Sequence, residues 1–212
     1  SFRWSGKIYE SEWKERREAM GRLFYIMGKS ASGKDTIYQR LLRNPEFSLE
    51  RLVIYTTRPI RDGELDGREY HFVTEEDFQK LKAAGKIIED RGYETVYGLW
   101  RYFTADNMDL EEKNYLGIGT LESYEKLKAY YGEEKIRPIY IEVEDGERLK
   151  RAIAREETQE VPKYEEMCRR FLADAQDFSE EKIRQAGIDC RFSNMDGAGE
   201  YSEIEKYLRS VL

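Results

Sequence analysis

The 212-residue sequence has only two cysteines, one histidine and four prolines. Cys168 and Cys190 make no metal-binding motif and no disulfide framework, so free thiols in a reducing cytosol are expected. A lone His71, inside a Tyr-His-Phe stretch that reads as a strand, argues against zinc chemistry and against a Ser-His-Asp triad. It is expected as a packed residue. There is no apolar run long enough to span a membrane and no visible secretory signal, so a cytoplasmic protein with no membrane partner is expected. Internal repeats and low-complexity tracts are missing too. The formal net charge is −7, without the basic excess that a nucleic-acid partner calls for. Nucleotides are not excluded, because they need only a local basic pocket.

The composition is 40% hydrophobic and 37% charged, enough to bury one α/β core under a wet surface. The organising stretch is Gly28-Lys29-Ser30-Ala31-Ser32-Gly33-Lys34-Asp35-Thr36, which fits the phosphate-loop pattern G-x-x-x-x-G-K. Its context fits as well. The apolar run Leu23–Met27 enters it as a buried strand, and a helical pattern (Ile37, Leu41, Leu42) leaves it. Gly28 and Gly33 let backbone N–H groups approach oxyanions with no Cβ in the way. The helix N-terminus adds partial positive charge at the same place, and Lys34 can reach the outer phosphates as a mobile cation. Asp35 stands where such loops carry Ser or Thr. A carboxylate there reads either as a magnesium ligand or as a helix N-cap.

Along the chain, residues 1–19 are expected as an N-terminal extension or an appended segment, with Met20 as a natural start. Asn44-Pro45 stops the first helix. Residues 52–100 form a strand-rich insertion. In it Asp66-Gly67 marks a turn, Thr74 with Asp77 marks a helix start, and Gly85 marks that helix's end. Ile87–Glu89 and Thr95–Gly98 are expected to pair as short strands. Strands near 115–119, 137–143 and 190–193 alternate with helices. This implies a doubly wound parallel α/β sheet of about five strands, with a small mixed-β region.

In the segment Thr56-Thr57-Arg58-Pro59-Ile60-Arg61-Asp62-Gly63-Glu64, two planar guanidinium forks, Arg58 and Arg61, share one turn and suit bidentate capture of a phosphate. Tyr70 adds a phenol donor. With Leu65-Asp66-Gly67-Arg68-Glu69-Tyr70-His71-Phe72-Val73, the segment resembles the acceptor site of the guanylate kinase family, and the likeness extends from about residue 21 to the end.

The resemblance implies a domain over 20–212, with its core in 20–51, 101–144 and 166–212, an acceptor-binding region at 52–100 and, added to the sheet, a helical lid at 145–165. It also implies ATP-dependent phosphorylation of a nucleoside monophosphate, GMP giving GDP, with Mg²⁺ as cofactor, in a monomer or homodimer. Arg58, Arg61, Tyr70 and Tyr97 match the clamp on the acceptor phosphate, and Glu89 matches the guanine-reading carboxylate. Residues 28–36 and Asn194 match the ATP site. Lys34, Arg58 and the lid arginines Arg151, Arg155 and Arg170 match the catalytic cations, and Asp35 is the candidate metal ligand. Arg148, Arg151 and Arg155 lie three and four apart, on one helical face.

Three polar base contacts of the family are replaced, by Ile54, by Leu99 and by Gly117-Ile118-Gly119. A different small phosphorylated acceptor therefore stays open as a second reading. A non-catalytic binding module stays open as a third.

Overall fold

A computed structural model describes residues 21–95, 97–195 and 199–212. The expected extension at 1–19 and Met20 lie outside them. The element order is β1 (Leu23–Met27), α1 (Lys34–Arg43), β2 (Glu50–Arg51), β3 (Tyr55–Thr56), β4 (His71–Phe72), α2 (Glu75–Ala83), β5 (Ile87–Thr95), β6 (Gly98–Ala105), β7 (Tyr115–Ile118), α3 (Leu121–Tyr131), β8 (Ile136–Glu142), α4 (Asp145–Glu157), α5 (Tyr164–Asp177), α6 (Glu180–Gln185), β9 (Arg191–Ser193) and α7 (Gly199–Val211).

The main sheet has five parallel strands in the order β2-β7-β1-β8-β9. All five residues of β1 are buried, as a central strand covered on both faces must be. Its pleat sends Leu23, Tyr25 and Met27 to one layer, with Tyr124, Leu127 and Phe178. Phe24 and Ile26 go to the other, with Ile37, Leu41 and Leu208. Each buried side chain of this size stabilises by roughly 1.5–3 kcal/mol. The two layers make the sheet doubly wound, as the alternating pattern implies. Ligands of such sheets bind beyond the carboxyl ends of the strands, which is where β1 delivers the phosphate loop.

The second sheet, β4-β3-β6-β5, is mixed and carries its own small core of Phe78, Phe103 and Ala105. Helix α2 starts with the expected Thr74–Asp77 capping box, and Gly85 follows its cap with φ of +67°. His71 packs on Tyr55, ring centroids 4.6 Å apart. Two expectations are corrected here. The short pair at 87–89 and 95–98 is one long antiparallel hairpin, and Thr95–Gly98 is its turn end. The second strand of that hairpin runs on to Ala105, past residue 100, because Phe103 and Ala105 face the small core.

The most constrained packing of the main sheet is at the end of β7. A Cβ on Gly119 would lie 2.1 Å from the Tyr25 hydroxyl oxygen, and one on Gly117 would lie 2.6 Å from the Tyr25 ring. The tyrosine occupies the volume that side chains at 117 and 119 would need. Gly119→Ala should therefore destabilise the fold by roughly 1–3 kcal/mol through overpacking. Tyr25→Phe in the same chain, which removes the hydroxyl that meets the new methyl, should recover part of that loss in urea melts.

Candidate active site

The phosphate loop follows from β1 and α1. Gly33 caps α1 in a left-handed conformation (φ +81°), and no side chain takes part in the cap. Thr36 N–H and Ile37 N–H donate to the Gly33 carbonyl (3.1 and 3.2 Å), so among the first-turn amides it is those of Lys34 and Asp35 that have no side-chain cap to accept them. Neither loop glycine can be replaced. A Cβ at 28 would sit 2.6 Å from the Ile141 carbonyl, and one at 33 would sit 2.4 Å from Asn194 Nδ2. Ala31 is also left-handed (φ 62°). Lys34 Nζ lies 3.6 Å from Asp35 Oδ2. Asp35 is the second residue of α1, not its cap, so the N-cap reading is corrected. Its side chain is 84% exposed.

Distant residues brace the loop. Asn194 Nδ2 donates to the Ser32 carbonyl (2.8 Å). The Ser30 amide donates to Asp174 Oδ2 of α5 (2.7 Å). Arg148 of α4 is buried and donates through Nη1 to the Ser30 carbonyl (2.9 Å). Its Nη2 reaches Asp145 (2.8 Å) and its Nη1 reaches Asp174 (3.4 Å). Lys29 Nζ pairs with Asp145 at 3.3 Å. The arginine face of α4 thus turns inward at Arg148.

The other lid arginines lie further out. Arg151 pairs with Glu147 (3.1 Å) and donates to the Met195 carbonyl (2.9 Å). Arg155 is half exposed. Arg170 is held by Glu166 (2.7 Å). Arg155 and Arg170 share a hollow of about 280 Å³ with Glu156, Val161 and Met167.

In the second sheet Arg58 is buried. Its two terminal nitrogens fork onto Glu64 at 2.5 and 2.7 Å, and the guanidinium lies 5.0 Å from the centre of the Tyr70 ring. Glu64 also accepts from the Arg61 amide at 2.9 Å, so one carboxylate orders both expected clamp arginines. Hydrogen bonds from Arg58 are the main cause that brings the Glu64 carboxyl down to about 2, and Glu64 in turn raises the Arg58 guanidinium further. Tyr70 packs edge-on to Tyr102 (5.6 Å), which packs edge-on to Tyr93 (5.7 Å). Tyr97 stands apart, 81% exposed and stacked on Trp100.

Glu89 is buried, and its Oε1 accepts from Thr104 at 2.9 Å. Its Oε2 has no hydrogen-bond partner among the described residues and lies 3.3 Å from Arg91 Nε. Ile54 packs against the core cluster that holds Leu23 and Tyr25. Leu99 lies over Gly92.

The structure thus joins Arg58, Arg61 and Tyr70 around Glu64, and joins the loop residues to Asn194. It leaves Tyr97, Arg155 and Arg170 toward solvent. Sequence reasoning missed Glu64, Arg91, Asp174 and the inward role of Arg148. Only the R-x-x-R-x-G-E spacing carried a local sign of any of them.

Glu64 makes a measurable prediction. Its carboxyl is lower in the folded chain than its ordinary 4.5. The stability it supplies is therefore present above about pH 4.5 and lost as pH falls toward 2. Glu64→Gln should lower stability at neutral pH and flatten the acid limb of a denaturant-melt series in that window.

The family model described as guanylate kinase matches residues 20–185. A guanylate kinase of Wolbachia sp. subsp. Brugia malayi is 35% identical over 127 residues, 59% of this chain and 62% of that protein. One of Vibrio parahaemolyticus is 36% identical over 46% of this chain and 45% of its own. The chain thus spans less than two thirds of the length of these relatives. A guanylate kinase of Porphyromonas gingivalis aligns over 91% of this chain and 99% of its own at 29% identity. The crystal structure of guanylate kinase from Anaplasma phagocytophilum superposes with a TM-score of 0.59, at 21% identity, over 91% of this chain and 86% of that one. The phosphate loop at the end of β1, the forked arginines of the second sheet and the matched span of 166 residues from 20 to 185 agree: the chain belongs to the guanylate kinase family.

Proposed function

We propose that this chain transfers the γ-phosphoryl group of ATP to GMP, giving ADP and GDP. The single observation that carries the reading is the pairing of two phosphate-binding elements on one chain. One is an uncapped loop–helix junction with Lys34 beside it. The other is an arginine pair preset by Glu64. Phosphoryl transfer of this kind needs no covalent intermediate, and catalysis is positioning plus charge.

Residues 28–36 hold the donor phosphates, with Lys34 on the outer two. Arg58, Arg61 and Tyr70 orient the acceptor phosphate, Tyr97 closes over it from the hairpin turn, and Glu89 reads the base. The working division is a core at 20–51, 106–144 and 166–212, an acceptor region at 52–105, where β6 ends, and a lid at 145–165. From the lid, Arg151 and Arg155, with Arg170 from α5, spread over the charge of the transferring group and exclude water. Asn194 braces the loop near the adenine.

Magnesium fits the residues present in one way. Among the described residues no group of three acidic, histidine or cysteine side chains is placed to hold an ion. Asp35 offers a single exposed carboxylate next to the loop. Mg²⁺ takes few protein ligands and completes its shell with substrate phosphates and water, so one carboxylate suffices. The bound ion would neutralise charge on the donor phosphates.

Two measurements test the reading. Coupled ADP release with ATP and Mg²⁺, run against GMP, dGMP, AMP, CMP, UMP and phosphomevalonate, should show turnover with GMP. Lys34→Met should lower kcat on the order of 10²-fold or more. Turnover of another acceptor in place of GMP would leave the phosphate clamp and reject the base. Asp35→Asn should raise the Mg²⁺ concentration needed for half-maximal rate, and full activity at unchanged Mg²⁺ affinity would remove Asp35 from the metal.

A further inference from the structure

The purine end of the cleft poses a chemical problem. Guanine presents an N–H and an amino group on one side, which a carboxylate can accept, and the carbonyl O6 next to them, which needs a donor. Glu89 answers the first need. Polar residues do not answer the second at 54, 99, 117 or 119, which carry Ile, Leu, Gly and Gly. The strand end at 119 cannot be refilled, because Tyr25 already occupies that volume. A buried O6 without a donor would cost binding.

We propose that Arg91 supplies this donor and is the residue that reads O6 of the acceptor purine. The proposal rests on the assignment of GMP as the acceptor. Arg91 lies two residues beyond Glu89 on β5, so both side chains leave the same face of the strand. Its Nε is 3.3 Å from Glu89 Oε2. Neither atom has a hydrogen-bond partner among the described residues, although both are buried. The pair is close but not aligned, with two directed polar atoms held out of water, and a ligand edge inserted there would satisfy both. Apart from Glu89, no described residue is shown in an ion pair or hydrogen bond with the Arg91 side chain, so its terminal nitrogens are available as donors.

Its surroundings place it at the base. Its charge acts on Tyr25, whose hydroxyl fills the strand end at Gly119, and on Glu122 in the first turn of α3. The Tyr25 phenol, raised by burial and by the Glu89 carboxylate, stays protonated and adds no second anion. A guanidinium beside a carboxylate, five donors beside two acceptors, complements the acceptor–donor–donor edge of guanine. Arginine to guanine O6 is also the commonest specific arginine–base contact.

The test is steady-state kinetics of the full chain and of Arg91→Met with three acceptors. GMP and inosine monophosphate carry O6. The monophosphate of 2-aminopurine riboside keeps the exocyclic amine for Glu89 but lacks O6 and, with it, the N1–H. The expected result is a KM raised about tenfold or more for GMP and inosine monophosphate in Arg91→Met, with KM for the 2-aminopurine nucleotide and for ATP unchanged. Arg91→Lys, which keeps a charge beside Glu89 but offers a point donor, should fall between. Equal losses on all three acceptors would mean that Arg91 only positions Glu89, and no loss on GMP would mean that it has no part in recognition. Either result overturns the proposal while leaving the GMP reading standing. Failure of the unmodified chain to turn over GMP would overturn both.

Discussion

The buried guanidinium of Arg148 is the interaction on which the site's shape depends. It comes from the helix after β8, yet it ends on the phosphate-loop carbonyl of Ser30 and on carboxylates from two helices, Asp145 and Asp174. A buried cation is tolerable only when such partners surround it. Removing one partner of a buried ion pair typically costs about 3–5 kcal/mol, because the other charge is stranded. The same carboxylate that steadies Arg148, Asp174, also takes the Ser30 amide. The loop's conformation is thus tied to the packing of α4 on α5, which the proposed mechanism assigns to the lid and its neighbour. Any movement of α4 would be felt at Ser30 directly.

The second sheet uses the same device. Glu64 holds the Arg58 fork and the Arg61 amide together, so two cations sit in one turn without repelling each other apart. In both places a carboxylate fixes the geometry of a buried guanidinium, Glu64 at Arg58 and Asp174 at Arg148.

Much of this was legible in the sequence, and for identifiable reasons. The loop, its strand and its helix are contiguous, so spacing alone located them. The Thr74–Asp77 capping box and the turn at Asp66-Gly67 are local signals, and both appear. The hairpin was misread because Thr95–Gly98 looks β-rich, whereas the turn it makes is set by pairing of Ile87–Thr95 with Gly98–Ala105. Glu64 was missed although its partner Arg58 is six residues away, because only the packed turn shows the fork; for Arg148 and Asp174 the partners are distant in sequence. Arg148 meets Ser30 across 118 residues, and Asp174 meets Ser30 across 144. Arg91 sits next to Glu89, but its meaning depends on Tyr25 filling the strand end, and only the packed structure shows that. Periodicity placed Arg148, Arg151 and Arg155 on one face and gave no sign that the first of them turns into the core.

The contact between Asn194 and the phosphate loop bears on how the protein is made. Asn194 donates to the Ser32 carbonyl across 162 residues, and its side chain lies against the Gly33 backbone. Contacts of such separation are late to form, since a large loop must close first. During synthesis β1 and α1 emerge early, but the brace on the loop arrives only when β9 has left the ribosome and docked beside β8. A growing chain therefore carries the nucleotide motif long before it carries a braced nucleotide site. If the loop holds ATP as proposed, binding would then act as a late fastening, stabilising the finished domain rather than nucleating it.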